Sequence, residues 1–186
     1  MITAIIYNSE TGSCERYARE LSRQLHLPCE PLHNYHVRTY GKVIYVGWVM
    51  AGKVVGYENA AKTLDIAAVV AVGMSPVTPQ LIASGREKNG IPAGVQFFVL
   101  QGGFNINKLN KPMHAAMTLM DKKIARSLKS KQAKTALNAQ EEATLHMALT
   151  GEGEPAAWDC SEVVAWAKKE NGFFTKSREL AKYGFI

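Results

Sequence analysis

The chain has 186 residues, 47% of them hydrophobic and 20% charged, which excludes a disordered or collagen-like polymer and is enough for one domain with a full core. No apolar run reaches the roughly 20 residues of a membrane span, and Met1-Ile2-Thr3-Ala4 lacks the basic start and cleavage pattern of a signal peptide, so a cytoplasmic protein is expected. A net charge of +6 and a pI near 9.2 point to an acidic partner, an anionic membrane surface or nucleic acid.

The apolar run Ile2 to Tyr7 predicts a buried parallel strand. It breaks into Asn8-Ser9-Glu10-Thr11-Gly12-Ser13-Cys14, after which Tyr17, Ala18, Leu21 and Leu25 recur at helical spacing, with Glu15, Arg16, Arg19, Glu20 and Arg23 opposite. A helix N-terminus carries unpaired N–H groups and a partial positive charge, so the turn that feeds it can hold a phosphate. Gly12 allows close backbone approach, and Ser9, Thr11 and Ser13 add hydroxyl donors. The competing reading is an ordinary helix cap, since Ser and Thr are favoured there in any case. Neither G-x-G-x-x-G nor G-x-x-x-x-G-K-[ST] is present. A loop of hydroxyls without a lysine suits a monophosphate better than a triphosphate.

Leu27-Pro28-Cys29-Glu30-Pro31-Leu32 predicts a short second strand held to an edge by its prolines. His33 and His36 lie in the polar connection that follows and are expected to be surface residues, as no third ligand has suitable spacing. Cys14, Cys29 and Cys160 are odd in number and far apart, consistent with free thiols in a reducing compartment. The third strand, Val43 to Val46, should end in a ligand-facing loop Gly47-Trp48-Val49-Met50-Ala51-Gly52-Lys53, because ligands bind at the carboxyl ends of strands in open parallel sheets.

A short helix from Tyr57 to Leu64, a fourth strand from Ile66 to Val72 and a helix ending at Lys88 before Asn89-Gly90 come next. The fifth strand, Val95 to Leu100, closes into a second glycine-rich loop, Gln101-Gly102-Gly103-Phe104-Asn105. Strands alternating with helices predict a parallel sheet with helices on both faces. A helical insertion over about 106–157 separates this loop from the last helix, Cys160 to Lys169. Within it, Leu109, Met113, Ala116, Met117, Met120, Ile124 and Leu128 form an apolar stripe, while Lys108, Lys111, Lys122, Arg126 and Lys129 gather on the opposing side. Ala139 to Gly151 predicts another helix. Glu141 and Glu142 read as surface charge, since adjacent helical residues point apart. The end of the chain, Phe173 to Ile186, mixes aromatic and basic residues and yields no assignment.

Ser9-Glu10-Thr11-Gly12-Ser13-Cys14, directly after the first strand, resembles the [ST]-x-T-G-x-T phosphate loop of flavodoxins, with Cys14 in place of the usual Thr. Together with Gly47 to Lys53, Gly102-Gly103-Phe104 and the long insertion, it is similar to the flavodoxin-domain group that includes menaquinone-dependent protoporphyrinogen oxidase. The resemblance implies a single three-layer α/β domain with a five-stranded parallel sheet in the order 2-1-3-4-5. It also implies an FMN site built from Ser9, Glu10, Thr11, Gly12, Ser13, Cys14, Trp48, Val49, Met50, Ala51, Gly52, Gln101, Gly102, Gly103 and Phe104, with Trp48 or Phe104 against the flavin ring. The flavin would carry the chemistry, and no catalytic side chain or metal is expected. The implied function is an FMN-dependent oxidoreductase, with oxidation of a protoporphyrinogen-like substrate by a quinone as the subgroup suggestion. The alternatives are a flavodoxin-type electron carrier with a redox partner and a binding or regulatory module without flavin. The basic helix over 108–129 suggests docking on an anionic membrane surface at the inner face, and nucleic acid is not expected as a partner.

Overall fold

The computed structural model describes residues 1–34 and 41–172. Five parallel strands, β1 (Ile2–Asn8), β2 (Cys29–Pro31), β3 (Lys42–Met50), β5 (Ile66–Gly73) and β6 (Gln96–Gln101), form a sheet in the order β2-β1-β3-β5-β6. A short arm, β4 (Lys53–Val54), folds back antiparallel on β3. Counting the parallel strands alone gives the expected flavodoxin-like order 2-1-3-4-5. The three inner strands are near-continuous apolar runs because both faces are covered. Ile44, Val46 and Val70 point into one core layer under α1 (Ser13–Leu25) and α6 (Ser161–Glu170). Tyr45, Val69 and Ala71 point into the other, with Tyr57 and Ala60 of the one-turn α2 (Tyr57–Ala60).

Local signals place the helices that matter for the site. α1 buries Cys14, Tyr17, Ala18, Leu21 and Leu25, and it stops at His26, whose φ of 54° is left-handed. Truncating the fully buried Leu21 to Ala would cost about 2–5 kcal/mol. α3 (Pro79–Lys88) starts on the Thr78 hydroxyl, which accepts from Leu81 N–H. β2 lies at the sheet edge, as its prolines require.

The insertion springs from a two-stranded ribbon in which β7 (Phe104–Asn105) pairs with β8 (Glu152–Gly153). Between those strands rise α4 (Lys111–Gln132) and α5 (Ala139–Thr150), which pack on each other. Asn110 caps α4 by accepting from Met113 N–H, and Asn138 and Glu141 form a reciprocal capping box on α5. The side chain of Gln101 ties this hairpin to the sheet. Its Nε2 donates to the Met74 and Gln140 carbonyls and to the Thr144 hydroxyl at 3.3, 2.8 and 3.0 Å, and its Oε1 accepts from Ala156 N–H.

Several expectations change. Gly47 to Lys53 is a β-hairpin rather than a loop: β3 continues to Met50, and Ala51 and Gly52, with φ of 50° and 82°, make a tight two-residue turn. The inward stripe of α4 is made by Met113, Met117, Asp121, Ile124, Ala125 and Leu128, while Ala116 and Met120 are exposed. Glu141 is not free surface charge. Its side chain is only 12% exposed and pairs with Lys131 while it completes the cap of α5. His33 sits in a short 3₁₀ turn (Leu32–Asn34), whereas His36 and Phe173 to Ile186 lie outside the described residues.

Candidate ligand site at the carboxyl edge of the sheet

The Ser9-to-Cys14 loop leaves β1 and enters α1 through Gly12, whose φ of 103° places the helix cap in a conformation that a side chain would strain. The cap residue Gly12 offers no side chain, so among the described residues the Ser13 and Cys14 N–H groups keep their donor capacity while the Glu15 N–H is taken by Ser9. Two of the loop hydroxyls are already engaged. Ser9 Oγ accepts from Glu15 N–H at 3.3 Å, and Ser13 Oγ donates to the Gly103 carbonyl at 2.7 Å. The Thr11 hydroxyl makes no hydrogen bond among the described residues, and Lys108 Nζ reaches the Thr11 carbonyl at 3.4 Å. Lys108 therefore brings a cation to a loop whose own sequence holds none.

Beside the loop lies a cavity enclosing about 60 Å³, lined by Ser9, Glu10, Thr11, Ser13, Cys14, Trp48, Val49, Val72, Gly73, Met74, Gly102, Gly103, Phe104, Leu109 and Met117. Ten of the expected site residues thus converge on one space. Trp48 gets there by strand alternation: it follows Val46 on the α1 face of β3, pairs with Val72 in β5, and packs on the core beneath α1. Its indole Nε1 is buried and without a hydrogen-bond partner. Gly102 lets the fifth parallel strand pass close to the loop, since a Cβ there would stand 2.5 Å from Val72 Cγ1 and 3.1 Å from Ser13 Cβ. Gly12 faces two adjoining polar grooves instead of the cavity.

Met50, Ala51, Gly52 and Gln101 do not line the cavity. The hairpin tip leans the other way, onto the end of α3, where Asn89 Nδ2 donates to the Gly52 carbonyl at 3.0 Å and Asn89 Oδ1 accepts from Val54 N–H at 2.7 Å. Gln101 is the tie described above. The cavity residues that sequence reasoning missed are Val72, Gly73, Met74 and the two roof residues, Leu109 and Met117. The strand-end residues follow from the sheet rule once β5 is fixed. The roof depends on how the insertion folds back, and no local pattern announces that.

Burial keeps the Cys14 thiol protonated by pushing its pKa far up, so the sulfur is a core group. Tyr17 donates from its hydroxyl to the Gln101 carbonyl at 2.7 Å, and burial raises its pKa as well. On the outer side of α1, the Arg16 guanidinium lies 4.0 Å over the Trp158 ring, and Glu154 accepts from both Arg16 and Trp158 Nε1. That cluster, with Lys108 and His146, walls the polar groove beside Gly12.

For FMN, the donor set and walls fit: two free N–H groups at the helix start, a free threonine hydroxyl and a nearby lysine at one end, and Trp48, Phe104 and Val49 at the other. The cavity is partly open, and Leu109 and Met117 of the insertion line one side of it. Among the described residues no group of three or more His, Cys, Asp or Glu side chains is placed to hold a metal ion.

No protein-family profile and no functionally characterised protein matches the sequence. Among solved structures, the chain is similar to a flavodoxin from the domain Archaea at 13% identity over 55% of this chain and 85% of that one, with a TM-score of 0.37. The flavodoxin-like fold stands on the strand order and on the two buried faces of the sheet.

Proposed function

We propose that this chain is an FMN-dependent oxidoreductase. The observation that supports it most is the convergence, at the carboxyl edge of a parallel sheet, of the two free N–H groups at the start of α1, a free Thr11 hydroxyl and an apolar cavity walled by Trp48 and Phe104. Bound flavin supplies acceptance of hydride or single electrons. The chain's part is then to bind and orient: the α1 N–H groups and Thr11 meet the phosphate, Lys108 adds charge, and Trp48, Phe104 and Met117 exclude water. The orphaned Trp48 N–H is a donor waiting for an acceptor on a polar ring edge.

The experiment is reconstitution of the purified protein with FMN. Absorption bands in the blue and near ultraviolet on the protein, with quenched flavin fluorescence at a one-to-one ratio, are expected. Full flavin fluorescence at every protein concentration would sink the reading and leave a module without flavin.

The roof made by Leu109 and Met117 favours a small-molecule substrate over a protein electron carrier, because a carrier must present its flavin edge to a partner. Oxidation of a protoporphyrinogen-like tetrapyrrole with a quinone as acceptor is the specific reaction proposed. A quinone resides in a bilayer, so the reading also places the protein at the inner membrane face. Turnover of protoporphyrinogen with a quinone distinguishes the enzyme; reduction only by a reductase, with no substrate turnover, would make the chain an electron carrier.

A further inference from the structure

The outward face of α4 carries a charge pattern of one sign. Its ionised side chains are Lys111, Lys122, Lys123, Arg126, Lys129 and Lys131 against one acid, Asp121, and that acid is turned inward and 5% exposed. Among the described residues, Lys131 alone of these cations has an acidic partner, Glu141. In the middle of this face stands Leu119, 61% exposed. Ala115 and Ala116 lie one turn before it, Lys122 and Lys123 one turn after it and Arg126 two turns after it, and all five are exposed. Met120 and, on the paired helix α5, Leu149 add exposed apolar surface at 38% and 54%. No described helix is long and apolar enough to cross a membrane.

An acidic protein would answer the lysines but has no need of a bare leucine among them. A lipid surface answers both, since headgroup phosphates pair with the cations while the leucine reaches the acyl boundary. We infer that the outer face of α4 docks on an anionic bilayer, with Leu119 as the inserted side chain and Lys122, Lys123 and Arg126 as its headgroup contacts. The docked face is the back of the helix whose front carries Met117, a roof residue of the cavity, so the bilayer would lie directly over the ligand site. The docking itself does not depend on flavin.

The test is cosedimentation of the full chain with vesicles of mixed phosphatidylglycerol and phosphatidylethanolamine, against vesicles of phosphatidylcholine, with and without FMN. Binding is expected to the anionic vesicles only and to disappear at high salt, because the screening length falls from about 10 Å at 0.1 M to about 3 Å at 1 M. Changing Lys122, Lys123 and Arg126 together to Gln should weaken binding by roughly a hundredfold, at about 1 kcal/mol per charge. Leu119→Trp should bind as well as the parent and shift its emission to the blue on anionic vesicles. All these positions are exposed, so an unchanged melting temperature checks the fold. Equal binding by the triple variant and the parent, equal binding to neutral vesicles, no blue shift, or no vesicle binding at low salt would each overturn the proposal. The last result would leave an acidic protein as the partner of the lysines, and none of them bears on whether FMN binds.

Discussion

Of the three loop hydroxyls, Ser13 donates its proton to the Gly103 carbonyl and the Ser9 oxygen accepts from Glu15 N–H, whereas the Thr11 hydroxyl makes no hydrogen bond among the described residues. Thr11→Ala should weaken FMN by about 1.5–3 kcal/mol, the range for a hydrogen bond to a charged group. Ser13→Ala should instead act on stability, by loosening the fifth-strand loop. Flavin fluorescence titration of both variants checks the contrast, and an unchanged affinity for Thr11→Ala would move the phosphate elsewhere. Asp121 makes a different kind of prediction. Burial pushes its carboxyl from 3.8 up to about 6, and its Oδ1 has no hydrogen-bond partner. Below about pH 4 both folded and unfolded chains hold that proton, so there is no penalty. As pH rises from about 4 to about 6 the unfolded chain releases it first, stability falls, and the loss persists above that window. Asp121→Asn should therefore gain about 1–3 kcal/mol near neutral pH and nothing near pH 4. Urea midpoints at the two pH values measure it, and a destabilised variant at neutral pH would mean that the carboxylate has an ionic role in the native protein.

Gln101 couples two elements that have little else in common, the end of β6 and the helical hairpin. Gln101→Leu keeps the volume, leaves the Ala156 N–H short of a partner, and should cost about 1–3 kcal/mol. Protease cutting should begin in the connection between α4 and α5; an unchanged denaturant midpoint would show that water replaces the amide without loss. This residue also shows where reading the chain stops. Gln101 stood in a glycine-rich loop after a buried strand, so it read as a ligand contact, and only the folded insertion reveals a tie. The parallel strands and α1 were legible because their period is set by a sheet or helix face they cannot avoid burying. The β3–β4 hairpin was not, since Ala51-Gly52 lacks the usual Asn-Gly or Asp-Gly of such turns. In α4 the apolar pattern offered Ala116 and Met120 to the buried stripe, whereas the fold exposes both and buries Asp121. The contact of α4 with α5 has no local signature in the sequence.

At the scale of the whole molecule the insertion is an appendage with closely spaced roots. β7 and β8 pair at Phe104–Gly153 and Asn105–Glu152, and Ile106 N–H donates to the Gly151 carbonyl at 2.7 Å. A chain that leaves and returns through adjacent paired strands can be shortened at the ribbon without reaching the sheet. Both layers of the central core are built almost wholly from strands β1, β3, β5 and β6 with α1, α2 and α6, and neither includes a residue of α4 or α5. Replacing residues 107–150 by a two-residue Asn-Gly turn should therefore leave a cooperative fold, since Gln101 Nε2 loses Gln140 and Thr144 but keeps the Met74 carbonyl, and Oε1 keeps the Ala156 N–H. It should also remove Leu109 and Met117 from above the cavity and take Leu119 and its lysines with them. FMN association followed by stopped-flow fluorescence should become faster in the shortened protein, dissociation faster still, and the binding to anionic vesicles should vanish. The alternative is equally measurable: if association keeps the rate of the full chain, the roof does not stand between solvent and the flavin site, and the ring must enter from the polar groove beside Gly12.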